Sequence, residues 1–118
     1  MRSRPIFNLA VAAALFFVCG IGTAEAVDPM LFAVNSGFLL GNAYRCGVSI
    51  ERVRRAEKVI RGFIAVAAFS PREEAAADAR FVESFAAGAY PAALIAACDV
   101  VVAQFDRLER HHRQAGFD

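Results

Sequence analysis

Residues 42–62 read NAYRCGVSIERVRRAEKVIRG, and within this stretch one helix stops and another starts. Gly47 is the stop, because glycine adopts the left-handed backbone of a helix C-cap without a Cβ penalty. Two positions later Ser49 offers a hydroxyl to the free amides of a new first turn. Beyond it Ile50, Val53, Ala56, Ile60, Phe63 and Ala67 recur every three or four residues, which predicts a second helix running to about Phe69.

Working outward, the same punctuation divides the chain on both sides. Asp28-Pro29 is an N-cap followed by proline at the first helical position, so the first helix spans about 29 to 46. Ser70-Pro71-Arg72-Glu73 is a capping box, and the third helix runs from there to Gly88. Tyr90-Pro91 is expected to open a fourth helix, with Leu94, Ile95, Cys98, Val101, Val102, Phe105 and Leu108 on its apolar face and a frayed tail after about His112. The residues between caps are strong helix formers and nothing alternates with period two. The expected fold is all-α: a small antiparallel four-helix bundle, up-down-up-down, because short connections favour antiparallel neighbours.

The first residues predict a destination. Met1-Arg2-Ser3-Arg4 is positive, Ile6 to Val18 is largely apolar, and Ala24-Glu25-Ala26 is an A-x-A site. Together these predict a secretory signal over residues 1–26, with a cut after Ala24 as the fallback, and a single helical domain over 27–118. The apolar run is short for a membrane span. Cys19 follows Phe16, Phe17 and Val18, a poor setting for lipid attachment, so it is expected to leave with the signal. Without residues 1–26 the chain keeps 11 basic and 11 acidic residues. That balance argues against a general nucleic-acid binder, and no transmembrane segment is expected after cleavage. Export to the bacterial periplasm is the first expectation, otherwise extracellular. No N-x-S/T sequon occurs beyond residue 26, and alanine and arginine are abundant.

Cys46 and Cys98 then remain, and an even pair in a small exported domain is most simply a disulfide. The topology agrees: with helices running up, down, up and down, the end of the first and the start of the fourth meet at one end of the bundle. Closing a loop of that length is worth about 4 kcal/mol in the chain-entropy model. No C-x-x-C and no histidine near either cysteine supports zinc or redox chemistry.

The arginines have several readings. Glu51 to Arg55 and Glu57 to Arg61 are favourable i,i+4 pairs, whereas Arg52, Arg54 and Lys58 have no such partner. Those three form a possible face for an anionic partner, an unknown protein or envelope component, against the plainer reading of a solvated face. A third option is internal, since Glu73, Glu74, Asp78 and Glu83 make the third helix acidic and complementary to the second. His111 and His112 are adjacent and point to different sides of a helix, so a joint metal site is not expected. Gly37 and Gly41 form a G-x-x-x-G that lets another helix approach or marks a break. Phe32, Phe38, Phe63, Phe69, Phe81, Phe85 and Phe105 recur at helical spacing and are expected in the core.

Motifs for catalysis are missing: no G-x-S-x-G, H-E-x-x-H, phosphate loop or haem-attachment sequence occurs. Neither enzymatic activity nor a cofactor is expected. The leading expectation is a small exported binding or interaction protein. The layout, with one disulfide between distant helices and the segment YPAALIAAC at residues 90–98, is similar in outline to the small periplasmic acid-stress chaperones. That similarity implies the alternative of a chain that loosens in acid as its carboxylates protonate. A bundle lined by phenylalanine and alanine also suits a carrier of a small apolar ligand.

Overall fold

A computed structural model describes residues 28–91 and 97–116. The expected signal segment, residues 1–26 with Cys19, and Leu94 and Ile95 of the expected fourth helix, lie outside the described residues. Four helices are present, α1 (Pro29–Arg45), α2 (Ile50–Ala67), α3 (Pro71–Ala89) and α4 (Cys98–Gln114), with no strand among the described residues.

Each helix start has a local chemical cause. The Met30 amide donates to Asp28 Oδ1 at 3.0 Å, and the Arg52 amide to Ser49 Oγ at 3.3 Å. The Glu73 amide donates to Ser70 Oγ at 3.1 Å while the Glu73 carboxylate accepts from the Phe69 amide, closing the capping box one residue further out than Ser70 itself. α1 ends in a Schellman turn: Gly47 sits at φ +96°, its amide donates to Tyr44, and the Val48 amide donates to the Ala43 carbonyl at 3.0 Å. Val48 is buried beneath that turn.

The fourth helix departs from expectation at both ends. It begins at Cys98 rather than at Tyr90-Pro91, and Asp99 places a carboxylate in its first turn, where the helix dipole favours one. It continues past His112 to Gln114 and closes at Gly116, φ +91°. His112 is therefore not part of a frayed tail; it is buried.

Successive helices alternate in direction, forming the bundle. Phe32 meets Phe63 across α1 and α2, Arg61 meets Phe81 across α2 and α3, and Cys46 is bonded to Cys98 across α1 and α4. The closest pair is α1 with α3, which run parallel, whereas no Cα of α3 comes within 8 Å of one in α4. Glycine is the reason for that closeness. A Cβ on Gly37 would lie 2.5 Å from the Phe81 carbonyl oxygen, and one on Gly88 2.6 Å from that of Phe38. A Cβ on Gly41 would overlap the Phe85 carbonyl. Gly37-x-x-x-Gly41 of α1 thus faces Ser84-x-x-x-Gly88 of α3, backbone against backbone. Asn42, buried in this seam, donates from Nδ2 to the Phe38 carbonyl at 2.9 Å, and Ser84 donates to the Arg80 carbonyl.

The core gathers Ala33, Leu40 and Ala43 of α1, Val53, Ala56, Ile60 and Ile64 of α2, Ala77 and Phe81 of α3, and Val101 and Phe105 of α4. On α2 the buried stripe ends in Ile64, not Phe63, because it advances by four residues from Ala56 onward. Of the phenylalanines expected inside, Phe69 is 87% exposed and Phe63 is half-exposed. Cys46 and Cys98 form the disulfide, their Cα atoms 5.3 Å apart.

Candidate functional site

The arginines of residues 42–62 divide by what each one touches. Arg45 turns back, donating to Asn42 Oδ1 at 2.7 Å with its other terminal nitrogen 3.6 Å from Cys98 Sγ. Arg52 reaches α4: Nε donates to Glu109 Oε2 at 3.0 Å, and a terminal nitrogen bonds both Glu109 Oε1 and Asp106 Oδ1. The Glu109 carboxylate, then Asp106, hold the guanidinium charged well beyond its ordinary range. Arg52 therefore has partners, which the i,i+4 rule did not reveal because they lie more than 50 residues away. The acidic counterpart of α2 in these contacts is α4 rather than α3. Arg61 pairs with Glu57 at 3.0 Å and stacks on Phe81.

Arg54, Arg55 and Lys58 remain exposed. Arg55 and Lys58 form one wall of a hollow of about 530 Å³ whose other walls are Val59, Gly62, Phe63, Val66 and Gly116. A second hollow of about 480 Å³ lies between Phe32, Phe63, Val66, Ala67, Leu108, His111 and His112. The two share Phe63 and Val66 in their walls and so adjoin as one trough along α2, the first part bounded by Gly116 and the second by Phe32 of α1 and the C-terminal half of α4. Phe63 packs edge-on against Phe32, ring centres 6.2 Å apart, and lies 6.5 Å from the His112 ring. Val66 is 86% exposed at the lip.

His112 forms the inner end. Burial pushes its pKa below the ordinary histidine value; His111 adds to the shift and Glu109 opposes it. Among the described residues no group of three or more His, Cys, Asp or Glu side chains is placed to hold a metal ion. Among them, too, no helix is long and apolar enough to cross a membrane. Cations at one end and apolar walls beyond them equip the trough for non-covalent binding.

Of the residues singled out by sequence, Lys58 lies in the trough wall, Arg52 is tied to α4 and Arg54 stands outside. Arg55, Leu108 and His112 were read as a partner of Glu51, an apolar-face position and a histidine without a joint metal site, and Gly62 and Val66 were given no role. One signal for them was legible: Lys58, Gly62 and Val66 follow at intervals of four, a line on which an otherwise polar face turns apolar. No protein-family model, curated protein or solved structure matches this chain.

Proposed function

We propose that this is a small exported binding protein whose binding face is the trough around Phe63. The observation that carries the reading is an apolar hollow, open at Val66, with Arg55 and Lys58 on its flank. Isolated exposed apolar residues are ordinary on a protein surface, but a contiguous concave patch with a few charged groups is the usual form of a ligand site. Export is supported by the disulfide, which persists in oxidising compartments, and by the positive start, apolar run and A-x-A site of residues 1–26. The test is titration with Nile red, a neutral environment-sensitive dye, at pH 7. The expected result is saturable one-site binding that Val66→Glu abolishes while the fold is retained. A dye that finds no site on the native protein would refute the reading.

One observation favours a second reading, an acid-activated chaperone. α4 is held to α2 by the Arg52 ion pairs with Asp106 and Glu109, beside a buried His112. At pH 3 carboxylates are largely protonated and histidine is charged, so these ties would fail together while the disulfide kept α4 attached. Suppression of client aggregation at pH 3 but not at pH 7 is the expected outcome, and a fully native fold at pH 3 the contrary one.

A further inference from the structure

We infer that the trough takes a single-chain anionic amphiphile, its head group at Arg55 and Lys58 and its chain laid over Gly62, along Phe63 and Val66, toward Phe32 and Leu108. The inference rests on the binding-protein reading and names the ligand class. Gly62 carries the first part of the argument. Glycine inside a helix costs about 1 kcal/mol relative to alanine, and at Gly37, Gly41 and Gly88 the touching backbones of α1 and α3 require it. At Gly62 nothing does: a Cβ there would meet no atom within 4 Å. Packing among the described residues gives no reason for this glycine. It lines the first hollow between Lys58 and Val66, where a larger side chain would project into open space.

Charge carries the second part. Two cations stand in the first hollow, and among the described residues neither hollow has a carboxylate in its walls. The nearby Glu109 is already engaged by Arg52. An anionic head group would complement Arg55 and Lys58, while an uncharged one would leave them to solvent. Shape carries the third part. The hollows adjoin at Phe63 and Val66, each within the range of small-molecule sites. One extended chain with a charged end fits that outline.

A carboxylate or a phosphate would satisfy the same cations, so the test uses both. Oleate and oleoyl lysophosphatidate, each below its micellar concentration, compete against bound Nile red, with oleyl alcohol as the uncharged control and anionic vesicles as a separate arm. The expected result is displacement by at least one of the anions at about tenfold lower concentration than by the alcohol. The Arg55→Glu/Lys58→Glu variant should erase that preference and still bind the dye. Gly62→Leu should weaken dye and anion alike by about tenfold without lowering the melting temperature. An alcohol that competes as well as both anions, unaltered binding in Gly62→Leu, or protein that binds vesicles and neither monomeric anion would each overturn the inference. Failure of Nile red to bind at all would instead remove the binding-site reading beneath it.

Discussion

The Arg52 guanidinium carbon lies 5.4 Å from the centre of the Phe105 ring, and the Arg61 guanidinium is at the same distance from Phe81. Phe105 and Phe81 are the two largest fully buried side chains, one on α4 and one on α3. α2 thus fastens both flanking helices in the same way, an arginine closing over an aromatic ring. Only Arg52 adds ion pairs to its target helix, and its side chain keeps 36% of its exposure, so solvent screens them.

The expected outcome of Arg52→Met is a loss of about 1 kcal/mol, the scale of a partly screened ion pair with a cation–π contact. Arg54→Met, at an exposed position, should change stability by less than about 0.5 kcal/mol. Urea unfolding of both variants measures the contrast. Equal effects would mean that the Arg52 contacts contribute nothing specific.

Glycine substitutions should separate by sign. Gly41→Ala drives a methyl group into the Phe85 carbonyl of α3, and overpacking of this kind costs about 1–3 kcal/mol or more. Gly62→Ala meets no neighbour and should gain up to about 1 kcal/mol from helix propensity. Thermal unfolding should therefore move down for the first and up for the second. A drop for both would show that α2 is constrained at Gly62 by something other than its neighbours.

Local chemistry was easier to read from the sequence than tertiary partnership. Asp28, Ser49 and Ser70 mark helix starts because a cap needs only residues within three positions of it, and Gly47 marks a stop for the same reason. The Cys46–Cys98 bridge followed from counting and topology. Arg52 did not yield its partners, since Asp106 and Glu109 come near only after α4 has docked. The parallel contact of α1 with α3 was half-visible in Gly37 and Gly41, while its other half, Ser84 and Gly88, carries no signature without the fold. The trough was hidden because it lies between helices, and Gly62 lines it without a side chain.

His112 sets a pH dependence. Its folded pKa is depressed, chiefly by burial, so the unfolded chain takes up a proton that the folded chain resists. Stability from this group is fully present above the unfolded histidine value of about 6.5, and is lost as pH falls from there toward the folded pKa. Glu109 and His111 on α4 act on it, and Arg52 and Arg55 of α2 share its cavity with Arg113. Unfolding free energy should be lower at pH 5 than at pH 7.5, and His112→Phe should narrow the difference. An identical pH profile in that variant would assign the dependence to other groups.

The disulfide should matter most for α4. This helix packs against α1 and α2, with no Cα within 8 Å of one in α3; its first residue is bonded to Cys46, and further along Arg52 and Phe63 engage Glu109, Asp106 and His112. The α1–α3 seam meets these ties through Arg45, which bonds Asn42 and reaches Cys98 Sγ, but Gly37, Gly41 and Gly88 hold it backbone to backbone. Removing the bridge in Cys46→Ala/Cys98→Ala releases the chain-entropy contribution of about 4 kcal/mol, an upper figure for a loop of this length. That is a large fraction of the ~5–15 kcal/mol typical of a folded domain. The seam's close backbone packing survives the loss of the bridge, so amide exchange should accelerate in residues 98–114 before it does in residues 37–43 and 81–89, measured at pH 7 in the double variant. Uniform acceleration across all four helices would show that the bundle opens as one unit and that the bridge stabilises it globally rather than by fastening its last helix.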